Sequence, residues 1–469
     1  MKTTLHKIAC LVFIAALLSV VSIHAIAAKH ISAEMTKLET TPKKEGSVIL
    51  KLSGSSMQSS LAACNAFQSD YPNVQIVYND DNLNVSDTII EAMLANDHTI
   101  DIYAMEVSSG LWALKEKSYL ADLSTSLVLS STISTYYQSV QDILMYDQQI
   151  VAFPEYFYPY LWAVNKDLWD DLSMPDLPQT YSEYIQLIMD WKQIHPENQD
   201  YILMESSTSR KTLMAGMIRS YILQNERPNA LLSFDSADFR ASCEAIFKMP
   251  DVSKEEDEAN YLSDKPILLT EFSPPMGYEK WPGSPSTYIL PPKVSKGDQH
   301  AVFAQMKVLF VNPNSLNKEY AIKYLEYVAK YINPVYTMQF NPKENTPIPS
   351  DYQRQVAEGF RIQIDELKQK IQLAKAEDKK ELEQALQNAQ TLYQYASEQY
   401  LVSPSDIAAY RAAAPYITFG EQSLFLGYNN STAYHAMLDA ANRYLNNKLS
   451  LDQMISALDQ ISKLAFYER

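Results

Sequence analysis

The feature that most constrains the fold is an alternation of short apolar runs with amphipathic helical runs that begins at residue 47. Strand patterns cover residues 47–52, 74–78 and 99–105, and a helical pattern separates each from the next. Because strands that alternate with helices pair through crossover connections, this pattern predicts a mostly parallel sheet covered by helices. The chain is therefore expected to belong to the α/β class.

Length and charge narrow the possibilities further. A chain of 469 residues is too long for one small domain and suggests about two or three. Its 56 acidic residues outnumber 39 basic ones, which gives a net charge of −17. Nucleic-acid binding needs basic stripes that neutralise phosphates, so a nucleic-acid partner is excluded. The 32 tyrosines combine an apolar ring with a polar tip and suit a hydrogen-bonding recognition surface.

Residues 1–27 have the pattern of a signal peptide. Two lysines give a positive start, an apolar run covers residues 8–23, and Ala25-Ile26-Ala27 has the small residues of a cleavage site. The alternative is an uncleaved anchor, but the run is shorter than the roughly 20 residues that span a bilayer. A polar linker follows at residues 28–46. We expect an exported protein at the cell surface or outside the cell, without a lipid-attachment (lipobox) cysteine beside the cleavage site.

No motif identifies a catalytic, cofactor or metal centre. The sequence contains no HExxH or CxxC motif, no Gly-rich nucleotide loop and no cluster of histidines at ligand spacing. We therefore expect no cofactor, no metal and no enzymatic activity. The cysteines beyond the signal peptide are Cys64 and Cys243. A disulfide is one alternative for an exported chain, but helical patterns around both favour small buried side chains.

Residues 352–397 differ from their surroundings. They contain one glycine and no proline, and Ile364, Leu367 and Ile371 follow heptad spacing, as do Leu382 and Ala389 farther along. A polar run, KAEDKKELE, separates the two apolar stripes. The pattern predicts two antiparallel helices with the charged run at the tip; a single long helix is the alternative.

Five segments follow one another in a recognisable order: AFQSDYPNVQIVY, DIYAMEVSSGLWALKEKSYLADLS, QQIVAFPEYFYPYLWAVNKDLWDDLSMPDLPQTYSEY, MKVLFVNPNSLNKEYAIKYLEYV and NKLSLDQMISALDQI. In this order they resemble the extracellular solute-binding proteins of bacterial carbohydrate-type ABC transporters, the maltose-binding-protein-like group. The third segment matches best, although Val164-Asn165-Lys166 stands where the family has Tyr-Asn-Lys. The resemblance covers residues 47–461, with residues 352–397 as an addition.

The resemblance implies a periplasmic-binding-protein fold, with two α/β lobes and a ligand cleft between them. The expected first lobe comprises residues 47–153 and 270–312, and the second comprises residues 154–269 and 313–469. The helical insertion, residues 352–397, is expected within the second lobe. The length independently favours two cores.

The cleft is expected beyond the carboxyl ends of the strands, where open α/β sheets bind ligands. Saccharides present apolar faces and hydroxyl edges, so a pocket for them needs aromatic rings and polar acceptors. The candidate ligand-binding residues are Ser55, Ser56, Glu106, Glu155, Tyr156, Tyr158, Glu271 and Trp281. The neighbouring Tyr160, Trp162 and Trp169 are expected in a core instead.

Two details of this assignment can be tested by a structure. Tyr156 and Tyr158 should share one face of an extended strand because side chains alternate with period two. Glu155 should then point elsewhere, unless Pro154 twists the chain.

The leading hypothesis is a binding protein that captures a small-molecule or oligosaccharide solute and delivers it to the permease of a membrane ABC transporter. A secreted glycan-active enzyme is the first alternative, but no carboxylate pair is singled out for it. An extracellular ligand sensor or adhesion component is the second, and the helical insertion gives it some support.

Overall fold

The computed structural model describes residues 48–55, 57–79, 86–194, 201–204, 209–227, 230–249, 265–271, 276–277, 286–295, 297–397, 400–419, 423, 425 and 432–467. The predicted signal peptide and linker lie outside these residues. Within them, no helix combines the length and the apolar composition needed to cross a membrane.

The described elements follow the predicted alternation of strands and helices. The strands are β1 (Val48–Ser53), β2 (Val74–Asn79), β3 (Ile102–Glu106), β4 (Met145–Tyr146), β5 (Gln149–Ile150), β6 (Phe153–Pro159), β7 (Trp162–Val164), β8 (Ile202–Met204), β9 (Ile267–Thr270), β10 (Thr287–Ile289), β11 (Val302–Val311), β12 (Ile348–Pro349), β13 (Tyr400–Val402) and β14 (Ile417–Phe419). The first nine helices are α1 (Met57–Asp70), α2 (Ser86–Leu94), α3 (Ser109–Glu116), α4 (Leu127–Ile133), α5 (Gln138–Leu144), α6 (Lys166–Asp171), α7 (Tyr181–Ile194), α8 (Arg210–Asn225) and α9 (Ala237–Lys248). The later helices are α10 (Lys318–Lys330), α11 (Pro334–Phe340), α12 (Asp351–Leu373), α13 (Ala376–Ser397), α14 (Pro404–Ala413), α15 (Thr432–Leu445) and α16 (Leu451–Tyr467).

Two sheets form the frame of the molecule. The larger runs β14-β11-β3-β1-β2, and β6 also pairs with β11. Its β1, β2 and β3 are parallel, as the sequence predicts, whereas β11 is antiparallel to β3 and β6. The smaller sheet runs β10-β7-β9-β8, with β8 and β9 parallel. The result is an α/β architecture, as expected from the sequence.

Each sheet has its own hydrophobic core. The first core gathers buried side chains from residues 50–161, 302–340 and 402–414, together with Met276. The second core gathers them from residues 162–294 and 425–458. Each compact lobe of a protein buries one continuous apolar cluster of its own, so two separate clusters indicate two lobes. Cys64 lies in the first core and Cys243 in the second, and both are buried free thiols, as predicted.

The composition of the two cores differs from the predicted lobe boundaries. The chain leaves the first core after Leu161 rather than at residue 153. Helix α10, expected in the second lobe, packs in the first core through Tyr324 and Leu325. The amide group of Asn312 explains this placement, because it donates to the carbonyl oxygens of Asp97 and Ile100 and holds the turn before α10 on the first sheet.

Residues 352–397 form the predicted pair of antiparallel helices, α12 and α13, so the single long helix is wrong. The turn falls at residues 374–375, so the charged run begins in the turn at Lys375 and continues into the start of α13. Ile364, Leu367 and Ala389 form a small core of their own. The base strands β12 and β13 pair with each other, and Val402 lies in the first core. The hairpin therefore rises from the first core, not from the second lobe as expected.

Candidate ligand-binding cleft

Glu155 lies at the first wall of the cleft, on a strand with a β-bulge. Lys307 of β11 pairs with Tyr156, but the next residue, Val308, pairs with Pro154, so Glu155 is the extra residue. A bulge redirects a side chain that regular pairing would send to the other face. The Oε1 of Glu155 accepts a hydrogen bond from the hydroxyl of Ser55, which follows β1. Both residues are buried, so two predicted site residues meet beneath the cleft surface.

Glu106 is the last residue of β3 and lies beside Lys307 of β11. Lys307 pairs with Glu106 on one side and with Tyr156 on the other, so the three residues form a row across three strands. Burial raises the pKa of the Glu106 carboxyl to about 7, Lys307 opposes that rise, and Glu155 adds to it. The Oε2 of Glu106 is buried and has no hydrogen-bond partner among the described residues. This carboxyl is therefore an acceptor that a solute hydroxyl could satisfy.

Three tyrosines surround Gln305, which lies two residues before Lys307 on the same face of β11. Tyr158 pairs with Gln305 across the ladder. The hydroxyls of Tyr156 and Tyr160 donate to the Oε1 of Gln305 at 3.2 Å and 2.7 Å. The rings of Tyr158 and Tyr160 meet edge to face with centroids 4.5 Å apart. All four side chains are half-buried, so ring surface and amide group remain accessible together.

The second core supplies the opposite wall. Glu271 directly follows β9, and β8, which runs parallel to it, ends at Met204. The hydroxyl of Tyr184 donates to the Oε1 of Glu271 at 3.1 Å and also contacts the sulfur of Met204. Burial raises the pKa of Glu271 to about 7, while the Tyr184 hydrogen bond and the charge of Arg219 oppose the rise.

The charge of Arg219, on α8, acts on residues of both walls. Its guanidinium is close enough to act on Glu271 and Tyr181 in the second core and on Tyr160 at the end of the first wall. It also lies over the ring of Tyr434, 6.0 Å from the centroid. The cleft is thus bounded by the Glu106–Lys307–Tyr156 row and the tyrosines around Gln305 on one side, and by Arg219 and Glu271 on the other.

The structure places the described candidate residues in two groups, and their role in binding stays a prediction. Six candidates are described: Ser55, Glu106, Glu155, Tyr156 and Tyr158 on the first wall, and Glu271 on the second. Tyr156 and Tyr158 share a face, as their spacing predicts. Ser56 and Trp281 lie outside the described residues.

Other cleft residues were not predicted. Tyr160 was expected in a core but is half-buried beside Gln305, whereas Trp162 and Trp169 are buried in the second core as expected. Gln305 and Lys307 were missed. Their alternation with Ala304, Met306 and Val308 marks one polar face of a strand, but only pairing with β6 shows what that face meets.

No family model matches the chain, and no curated protein matches it either. Solved structures do match. They include a cyclic α-maltosyl-1,6-maltose binding protein from Arthrobacter globiformis, with a TM-score of 0.53 and 11% identity over 90% of this chain and 100% of the other. The fold of this chain is similar to that of this protein. A sugar-binding protein, MalE, from Xanthomonas citri has a TM-score of 0.52 and 13% identity over 90% of this chain and 98% of the other. An ABC substrate-binding protein from Listeria monocytogenes, in complex with cycloalternan, has a TM-score of 0.50 and 12% identity over 90% of this chain and 99% of the other.

These similarities confirm the fold expected from the ordered segments. The solute-binding fold has two lobes, which agrees with the two separate hydrophobic cores. At these identities the similarity shows the fold alone, and it does not identify a solute.

Proposed function

We propose that the protein is an exported solute-binding protein that captures a saccharide in the cleft between its two cores and delivers it to a membrane ABC transporter. It acts as a binding protein and not as an enzyme. The fold supports this proposal, because the similar structures named above are sugar-binding and substrate-binding proteins. The export signal and the permease partner are parts of the proposal that rest on the sequence.

The observation that carries the proposal is the chemistry of the first wall. Half-buried Tyr156, Tyr158 and Tyr160 offer ring faces beside the amide of Gln305 and the carboxyl of Glu106. A saccharide has apolar C–H faces that pack on aromatic rings and hydroxyl edges that need donors and acceptors. Arg219 and Glu271 on the opposite wall can bond the other edge of the same ligand, which would favour the closed arrangement of the two lobes.

The remaining predicted residues belong to this proposal. In the sequence, Ser56 directly follows Ser55, and Trp281 is followed by a proline and a glycine between the segments that form β9 and β10. We propose that Trp281 stacks on the solute. Replacing it by alanine should then weaken binding by about 10- to 100-fold, since burying such a ring contributes roughly 1.5–3 kcal/mol.

A glycan panel tests the proposed function. The purified chain is incubated with neutral, amino and acidic oligosaccharides, its thermal stability is recorded, and the sugars are then analysed for cleavage. A saccharide that raises Tm and is recovered intact is the expected result, because a ligand that binds only the folded state stabilises it. Cleavage products would identify an enzyme. No Tm shift with any glycan would contradict saccharide binding.

A further inference from the structure

A second cavity lies on the outer side of the first core and has no role in the cleft. Its volume is about 420 Å³, and helix α10 forms one side of it through Glu319, Tyr320, Lys323 and Glu326. Tyr71, which follows α1, forms another side. Because these four α10 residues recur at helical spacing, the face opposite the buried stripe of α10 lines the cavity.

The cavity is separate from the cleft. Tyr71 precedes β2, and the backbone N–H of Val48 at the start of β1 donates to Asn73 O. The cavity therefore neighbours the amino ends of these parallel strands. The cleft residues Ser55 and Glu106 follow the carboxyl ends of β1 and β3. A ligand in the cavity would not touch the cleft.

Two aromatic rings are held in place at the cavity. Tyr71 and Tyr320 meet edge to face with centroids 6.1 Å apart. Phe67, fully buried, stacks against Tyr71 at 4.7 Å and fixes its ring from below. Both tyrosines are half-buried, so part of each ring remains open to a ligand.

The charged groups of the cavity are largely paired with one another. The Nζ of Lys323 lies 2.6 Å from one carboxylate oxygen of Glu326, and the hydroxyl of Ser126 donates to the other oxygen at 2.7 Å. Ser126 is 4% exposed, so this contact is built into the fold. The resident ammonium disfavours a second cation, and Glu319 with Glu326 disfavours an anion. An uncharged ligand that is rich in hydroxyls meets neither penalty.

We propose that this cavity is a second binding site and that its ligand is a neutral saccharide unit of a glycan chain. The two rings offer apolar faces, Glu319 is an exposed acceptor, and Lys323 offers spare N–H donors. The volume lies within the range of small-ligand sites. The site does not depend on the proposed role of the cleft, and it would let an exported protein hold a polysaccharide while the cleft handles a solute.

Affinity electrophoresis of the full chain tests the site, with soluble starch, xylan or galactomannan cast in native gels. Retardation by at least one of these polysaccharides is expected, and Tyr320→Ala should weaken it at least 10-fold. Tyr331→Ala is the matched control, because Tyr331 is an exposed tyrosine at the end of the same helix but outside the cavity, and it should be retarded like the parent. The cleft variant Gln305→Ala should also be retarded like the parent.

Two outcomes would overturn the site, and a further variant decides if Tyr320→Ala does not fold. No retardation of the parent by any of the three polysaccharides would mean that the cavity does not hold neutral glycans, as would be the case if it served a protein partner. Retardation that Gln305→Ala abolishes and Tyr320→Ala preserves would place the glycan in the cleft. If Tyr320→Ala fails to fold, Glu319→Gln decides: at least a threefold loss supports the site, and an unchanged mobility contradicts it.

Discussion

The hydroxyl of Ser55 donates a hydrogen bond to the Oε1 of Glu155, which stands 100 positions later in the chain. Ser55 belongs to the loop after β1, and Glu155 is the extra residue of the bulge in β6. Their exposed fractions are 3% and 5%. A buried carboxyl is costly to leave without partners, so this contact holds the bulge against the loop and sets the floor of the cleft.

A double-mutant cycle should show this contact as a coupling energy. Ser55→Ala and Glu155→Leu should each lower the free energy of unfolding by about 1–3 kcal/mol, because each removes one partner of the hydrogen bond and leaves the other buried polar group unsatisfied. The double variant should lose less than the sum of the two, by about 0.5–3 kcal/mol. Urea unfolding followed by circular dichroism gives these values. The exposed pair Glu358 and Arg361 is the control, and additive losses at Ser55 and Glu155 would show that the contact does not form.

Gln305 should matter for binding more than for stability. Gln305→Ala removes the common acceptor of Tyr156 and Tyr160 from a half-buried surface, so the rings lose their orientation without opening a core cavity. We expect the solute affinity to fall about 10- to 100-fold, the effect of roughly 1.5–3 kcal/mol. The Tm without solute should change little. Gln387→Ala, on the exposed side of α13, is the matched control for isothermal titration. Unchanged affinity in Gln305→Ala would remove Gln305 from the site.

Glu271 should make stability depend on pH. Burial raises its pKa in the folded state to about 7, above the ordinary value of 4.5. The folded state therefore binds more protons than the unfolded state between these values, so this carboxyl costs stability progressively as pH rises from about 4.5 to 7. Glu271→Gln removes that cost while keeping an acceptor for Tyr184. Its Tm relative to the parent should be higher at pH 8 than at pH 4.5.

The exposed Glu358→Gln serves as the control for this pH series. Arg361 lowers the pKa of Glu358, so the net shift of this carboxyl is opposite in sign to that of Glu271, and its replacement should not raise Tm at pH 8 relative to pH 4.5. A Tm difference between Glu271→Gln and the parent that is the same at both pH values would contradict the assignment.

The upper part of the helical hairpin should be dispensable for solute binding. Its small core of Ile364, Leu367 and Ala389 is separate from the two main cores, whereas β12 and β13 close its base. Replacing residues 361–388 by a short Gly-Ser linker should leave a folded protein with unchanged solute affinity, because lengthening or shortening such a surface connection costs little. Calorimetry and titration of the shortened chain provide the check. A loss of affinity with an intact fold would assign the hairpin to the solute site.

The fold was largely predictable because its signals are local. Short apolar runs that alternate with helical runs indicated the parallel strands, and Ser236 and Asn165 cap α9 and α6 with their own side chains, as residues of these types do. The heptad stripes of residues 352–397 distinguished a hairpin from its surroundings. Which lobe an element joins depends on contacts distant in sequence, such as those of Asn312 with residues 97 and 100, and the local pattern does not contain them.

The cleft was predictable only in part for the same reason. Strand ends and a Tyr-rich crossing pointed to Glu106, Tyr156, Tyr158 and Glu271. Arg219 was missed, because one basic residue in an amphipathic helix has the same pattern whether it meets solvent or a second lobe. Its position beside Glu271 depends on how α8 packs against the second sheet, and its effect on Tyr160 depends on how the two cores lie relative to each other.

The central claim is that one solute is held by both walls at once. Isothermal titration with the stabilising saccharide tests it most directly, on the parent, on Tyr156→Ala from the first wall and on Arg219→Ala from the second. Both variants should remain folded, and each should bind at least 10-fold more weakly than the parent. Full affinity in either variant would contradict a site that spans the two cores.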